Sequence, residues 1–256
     1  MAEGQAPPCI HRLSGDPGES AQGAAGALQS LLSDGATLVA CRGSTPEQWA
    51  ASVVSLLQPL ARQIRVFASK RDWRTMGVDL DKAPDRSEGT GASPLHIDFV
   101  NAAHPPDYIA LICVRNDPLG GGESTLSAIA DAIANLSIEE RLHLEQPIFT
   151  DGKVDNLDNV GVDINPFAVI ANAAPLKYRY TGQLLKGEYP PPVTLALRHL
   201  QSQLEARQVC FVIRPGHALI VNQHRHVHGK RPLGEPQFNV SPNSRRLLLH
   251  GFFRSL

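Results

Sequence analysis

The chain has 256 residues, enough for one well-buried core, and its 42% hydrophobic and 19% charged content is ordinary for a globular domain. A formal net charge of -1, with no long run of one sign, argues against a nucleic-acid partner or a membrane surface. No apolar run approaches the roughly 18 residues a bilayer span needs, and the N-terminus lacks the basic-then-apolar pattern of a signal peptide.

Residues 1–26 are rich in Gly, Ala, Pro and Ser and short of large apolar side chains. They are expected to be loosely ordered, leaving one folded domain over residues 27–256. Leu38 to Cys41 reads as a short strand. Thr45-Pro46-Glu47-Gln48 carries a helix-start signature: a capping Thr, Pro at the first helical position and Gln three residues after the cap. Trp49, Val53, Leu56, Leu57 and Leu60 follow at helical spacing. Ile64 to Ser69 suggests a strand, and the polar residues 71–94 a long surface loop suited to covering a pocket.

Tyr108 to Arg115 is a strand apolar on both faces, and Gly120 to Leu126 a tight loop. Residues 127–136 suit a helix, and Ser137-Ile-Glu-Glu140 opens another with a second capping box. Short strands are expected at 148–150, 167–170 and 176–180, and a long helix over Val193–Arg207. Near the end, Val209–Ile213 and Ala218–Val221 flank Arg214-Pro-Gly-His217, which predicts a hairpin; Arg246 to Phe253 forms a closing strand. Many short strands with a few helices point to a mainly β fold with flanking helices, a double-sheet jelly roll. Cys9, Cys41, Cys113 and Cys210 fit neither a zinc-site spacing nor a disulfide framework, so a reducing cytoplasm is the expected compartment.

His96 and Asp98 are separated by one residue. Side chains two apart on a strand point the same way, so an imidazole and a carboxylate converge as two ligands of a divalent metal can. Alone, such a triplet is common. Asn222-Gln-His224-Arg-His226-Val-His228-Gly-Lys-Arg supplies three more histidines at alternate positions, all on one face if the segment is a strand. One of them completes a set of two imidazoles and one carboxylate, which on iron(II) leaves positions open for an organic chelator and oxygen. His228 precedes Gly229 at the strand end, where a metal would sit; His224 and His226 are the alternatives.

With His96-x-Asp98 and the distal His228-Gly229-Lys230, the chain resembles the iron(II)/2-oxoglutarate dioxygenases, in particular the taurine dioxygenase and clavaminate synthase group. Pro106-Asp107-Tyr108 leading into an apolar strand matches them too, and the similarity runs over roughly residues 36–254. The resemblance implies a double-stranded β-helix core and three metal ligands, His96, Asp98 and His228. It further implies iron(II), 2-oxoglutarate and O2 as the reaction partners. The family's Gly-Gly-x-Thr loop corresponds to Gly121-Gly122-Glu123-Ser124, with Ser124 keeping a hydroxyl donor. Its arginine for the far carboxylate of 2-oxoglutarate corresponds to Arg246 rather than Arg245, because His250, four residues on, puts a polar partner on the same face. The planar fork of a guanidinium suits that carboxylate.

The expected activity is oxidation, chiefly hydroxylation, of an unactivated C–H in a small polar metabolite, a free amino acid or a derivative. Asp98 argues against halogenation, since related halogenases replace this carboxylate with a small residue. Family hydroxylases of amino acids more often carry Glu at this position, and their acidic grips for substrate amines have no match near 176–182. Two competing readings remain: a zinc-dependent hydrolase using the same His/Asp/His set, and a non-catalytic jelly-roll binding protein. Neither gives a reason for Arg246 or the Gly-Gly-Glu-Ser loop. Nothing in the sequence sets the oligomeric state.

Overall fold

Two β-sheets pack face to face, and the alternation of apolar residues along their strands decides which side chains enter the space between them. The computed structural model describes residues 7–13, 17–67, 71–152, 158–171 and 178–256. In chain order the elements are β1 (Ile10–Arg12), α1 (Pro17–Ser33), β2 (Ala36–Ala40), α2 (Pro46–Leu57), β3 (Ala61–Ile64) and β4 (Arg74–Gly77). Next come β5 (Ser93–His96), β6 (Tyr108–Arg115), β7 (Ser124–Ala128), α3 (Ile129–Ala134) and α4 (Ile138–Leu144). The last elements are α5 (Pro191–Arg207), β8 (Val209–Phe211), β9 (His217–Asn222), β10 (His226–Lys230) and β11 (Leu247–Ser255).

The larger sheet runs β1-β2-β9-β6-β11-β3, with β4 also paired to β11; the smaller runs β5-β10-β7-β8. Along β6, Tyr108, Ala110 and Ile112 face outward and pack with Leu31 of α1 and Val53 and Leu57 of α2. The alternate residues Ile109, Leu111 and Cys113 face inward, meeting Leu126 of β7 and Val209 of β8. On the smaller sheet Leu95, Ile97 and Val227 point outward into a third cluster with Ile129, Val193, Leu197 and Leu200. Four layers result, helix, sheet, sheet, helix, in keeping with the mainly β fold with flanking helices that the sequence suggests.

Both capping boxes form as their spacing predicts. Thr45 Oγ1 accepts the Gln48 N–H while Gln48 Oε1 accepts the Thr45 N–H, and Ser137 with Glu140 repeats the arrangement at α4. Among the described residues no helix is long and apolar enough to cross a membrane.

Several expectations need correction. The boundary at residue 26 cuts through α1, and Ile10–Arg12 pairs in parallel with β2. Among the described residues of this segment small side chains permit close packing: a Cβ on Gly23 would lie 1.9 Å from the Arg12 carbonyl oxygen; residues 1–6 and 14–16 lie outside the described set. The expected hairpin is also absent. β8 pairs with β7 in the smaller sheet and β9 with β2 and β6 in the larger, so Arg214–Gly216 carries the chain from one sheet to the other. A Pro-Gly turn signal specifies a change of direction, but not which strands pair. The strand expected from Ile64 begins earlier, as β3, and residues 68–70 lie outside the described set. The expected loop 71–94 contains β4, which fills the edge left beside the first half of β11. Residues 148–150 and 167–170 meet through the bridge Phe149–Phe167; of 176–180, residues 176 and 177 lie outside the described residues and the remainder forms one bridge, Ile170 with Tyr178.

Candidate active site

β5 and β10 pair antiparallel with His228 directly opposite His96. Cross-strand partners have side chains in contact, so the pairing register brings the two imidazoles together, their ring centroids 4.4 Å apart. Because Leu95 and Ile97 point outward, His96 and then Asp98 point inward; because Val227 points outward, His228 points inward. The apolar pattern thus aims the polar residues. Asp98 Oδ1 lies 3.8 Å from His96 Nε2, and Asp98 Oδ2 lies 3.6 Å from His228 Nε2. One ligand atom from each of the three falls within 4.8 Å of the others, the only such group of three or more found among the described residues.

The surroundings prepare these groups to accept a cation. His96 Nδ1 is 2.8 Å from the Pro94 carbonyl oxygen, so Nδ1–H donates there and Nε2 keeps its lone pair for the site. Burial, reinforced by the neighbouring His96, pushes His228 down to about 3, so its imidazole is neutral near pH 7. Burial alone would raise the Asp98 carboxyl, but His250 and His228 beside it hold it well below the usual carboxylate range. Asp98 Oδ2 is buried with His250 Nε2 at 3.1 Å as its close polar neighbour, an approach whose angles fall short of a hydrogen bond as the side chains stand. His228 Nδ1 is buried with no hydrogen-bond partner among the described residues. A carboxylate oxygen with two imidazole nitrogens around it fits a divalent metal with nitrogen and oxygen preference.

Two residues that the sequence reading does not connect to Asp98 lie against it. Gln223 is fully buried; its Oε1 accepts the Asp98 N–H at 2.5 Å, and its Nε2 donates to the Pro106 carbonyl at 2.7 Å. The next residue, Phe99, has φ of +56°, a left-handed conformation costing a bulky residue about 1–2 kcal/mol. Edge contacts with Phe67 and Phe252 keep it there. Behind this turn the buried Arg179 gives Nη1–H bonds to the Val100 and Ala102 carbonyls. The second is His250 on β11, expected on the same face as Arg246, which places its Nε2 3.1 Å from Asp98 Oδ2.

Two cavities meet at the triad, sharing Ser87, Ser93, His96 and Asp98. The narrower is lined by Ser124, Lys230, Arg246 and His250. Arg246 enters it because Leu248 and Phe252, on the same face of β11, point into the inter-sheet core. Its guanidinium has no hydrogen-bond or ion-pair partner among the described residues. Arg245, on the other face, donates to the Val240 carbonyl at 3.1 Å. Lys230 likewise has no carboxylate against it: its ammonium donates to the carbonyls of Gly89 and Gly91, and burial with Arg246 nearby lowers it to about 8. Gly120, Gly121 and Gly122 all have positive φ, a run open to glycine alone, which carries the chain into β7 and Ser124. The wider cavity, about 480 Å³, is lined by Phe67, Arg86, Asn101, Asp151, Thr181 and Gln183 among others.

The alternatives to His228 lie elsewhere. His224 Nε2 sits 2.5 Å from Asp107 Oδ1, and His226 lines a separate cavity with Asp34 and Asp131.

No protein-family model matches the sequence, and no curated protein does. Solved structures do match. An asparagine oxygenase in complex with Fe(II), 2S,3S-3-hydroxyasparagine and succinate superposes with a TM-score of 0.70 at 20% identity, over 92% of this chain and 79% of that one. The non-haem iron oxygenase OrfP, in complex with Fe and alpha-ketoglutaric acid, gives 0.66 at 16% identity, over 90% and 78%. OrfP with Fe, succinate and (3R,4R)-dihydroxy-L-Arg gives 0.65 at 15%, over 92% and 81%. This chain has their fold. In this oxygenase fold the resemblance drawn from the sequence holds at the level of architecture, over nearly the whole described chain.

Proposed function

We propose that this chain is an iron(II)- and 2-oxoglutarate-dependent oxygenase that hydroxylates an unactivated C–H of a small polar, amino-acid-like metabolite. In this reading His96, Asp98 and His228 are the metal ligands, and Ser124 and Arg246 hold 2-oxoglutarate. One observation carries it: three convergent donors share a cavity wall with a buried guanidinium that no acid among the described residues hydrogen-bonds or ion-pairs, Asp117 acting on it only at a distance. A metal site alone would serve a zinc hydrolase equally well. An unpaired buried cation beside it calls for an anionic co-substrate.

Iron(II), when bound, lets O2 and 2-oxoglutarate be consumed to succinate and carbon dioxide while one oxygen atom enters a substrate C–H. The residues of the chain do the rest. Arg246 offers two parallel N–H donors to the far carboxylate, and Ser124, buried next to it on β7, offers a hydroxyl. Gln223 and the strained Phe99 turn fix the Asp98 backbone. The wider cavity receives the substrate. Its wall carries groups of both signs without ion-pair partners among the described residues, the Arg86 guanidinium and the Asp151 carboxylate, a combination that suits a zwitterion. The hydroxy-amino acids bound in the asparagine oxygenase and OrfP structures support the same class. All four cysteines are free, which supports a reducing compartment such as the cytoplasm.

Anaerobic addition of Fe(II) and 2-oxoglutarate to the apo-protein tests this directly. A weak visible charge-transfer band that is lost in His228→Ala is the expected result; no band with the wild-type protein overturns the reading. Succinate release stimulated by one of a panel of amino acids then identifies the substrate.

A further inference from the structure

His250 is 3% exposed, so its imidazole has left water altogether. Its ring packs on Phe252, centroids 4.3 Å apart, and Phe252 is in turn wedged against Phe67 and Phe99. The ring therefore cannot swing away. Apart from the approach of Nε2 to Asp98 Oδ2, neither ring nitrogen has a polar partner among the described residues. A buried imidazole held in place with one polar neighbour acts through that neighbour.

The geometry also says what His250 is not. The convergent donors are those of His96, Asp98 and His228; His250 touches the carboxylate and does not join that group. It comes from the larger sheet, whereas His96 and His228 come from the smaller. It thus meets Asp98 from across the inter-sheet space. Asp98 Oδ1 lies toward His96, and Oδ2 lies 3.1 Å from His250 against 3.6 Å from His228.

We propose that His250 is a positioning residue for the metal site, its Nε2–H donating to Asp98 Oδ2 so that the carboxylate is held in one orientation and its two oxygens are no longer equivalent. A free carboxylate can turn about its Cβ–Cγ bond and bind through either or both oxygens. One oxygen tied to the opposite sheet leaves the other as the fixed ligand. Partners of this kind around a metal commonly contribute 10–100-fold in affinity. This inference rests on the metal-site reading above.

The test is anaerobic titration of the full chain with Fe(II), and with Mn(II) as a redox-stable probe, for wild type, His250→Gln and His250→Phe. Thermal melts of the metal-free proteins run alongside, with His250→Leu replacing the Phe variant should that fail to fold. The expected result is an affinity loss of roughly 10–100-fold in the variant without a donor, together with a changed Mn(II) resonance spectrum. Glutamine, which keeps an N–H donor, should restore both close to wild type. Two outcomes overturn the proposal: all variants bind metal alike, or the glutamine variant is as weak as the phenylalanine one. A wild-type protein that binds no metal sinks the oxygenase reading instead, so the two failures are distinct.

Discussion

Arg246 is a buried cation lining a cavity with no acid hydrogen-bonded or ion-paired to it among the described residues, Asp117 acting only at a distance, and in the proposed reading it is the site for a mobile anion. Replacing it with leucine should weaken 2-oxoglutarate binding by about 10–100-fold, the worth of a charge-assisted bidentate pair, while leaving Fe(II) affinity nearly unchanged. Titration of the charge-transfer band with 2-oxoglutarate reads the first, and metal competition the second. Gln223 predicts a different signature. Gln223→Leu leaves the Asp98 N–H and the Pro106 carbonyl without partners in a dry interior, costing roughly 1–3 kcal/mol in urea unfolding of the apo-protein. The convergence of His96 and Asp98 with a histidine of the 224–228 segment was legible in the sequence because alternation along a strand is a local rule, while the choice of His228 needed its place before Gly229 and the family resemblance. The contacts of Gln223 and His250 with Asp98 were not legible. Gln223 reaches Asp98 across 125 positions of chain and His250 does so from the other sheet, and no local spacing encodes either approach.

Among the elements, β11 does most to organise the site. From Leu247 to Phe253 it pairs with β6, its first half also with β4 and its second half with β3, while its inner face presents Leu248, His250 and Phe252 in succession. The glycine run before β7 sits opposite. A Cβ on Gly122 would lie 2.6 Å from Leu233 Cδ2 and 3.2 Å from Arg246 Cδ, in addition to the strain of its positive φ. Gly122→Ala should therefore displace Arg246 and lower 2-oxoglutarate affinity several-fold, at a stability cost of about 1–2 kcal/mol. Isothermal titration and thermal melting check the two parts. Element identity was readable wherever a cap or an apolar run was strong, as at α2, α4, α5 and β6. Pairing was less so. The segments around Pro215 looked like one hairpin because a turn signal is local, whereas the choice of sheet depends on which apolar face, β7 or β2 and β6, is left uncovered elsewhere.

At the level of the whole molecule, burying imidazoles makes stability depend on pH. His226 is held down to about 4 and His228 to about 3, both chiefly by burial, against about 6.5 in an unfolded chain. Between those values the unfolded chain binds protons that the folded one refuses. Apo-protein stability should thus be level between about pH 6.5 and 8 and fall steadily as pH drops below that window. By the time its folded value is reached, His226 contributes about 3 kcal/mol and His228 about 5 kcal/mol. Urea midpoints across pH 4–8 measure the slope, and His226→Gln should flatten it.

The pairing of His228 with His96 has one more consequence. The two residues lie far apart in the sequence and become neighbours only after the smaller sheet has assembled, so no unfolded chain offers the pair to an ion. A metal held by this pair, as proposed, would therefore act as a reversible cross-link between β5 and β10, selective for the finished fold. At a free concentration about 100 times its dissociation constant it should add about 2.7 kcal/mol to unfolding. The melting temperature of the wild-type chain should rise with Mn(II) concentration, and that of His228→Ala should stay where it is. The supply of the ion would then set how long the protein survives as well as how fast it works.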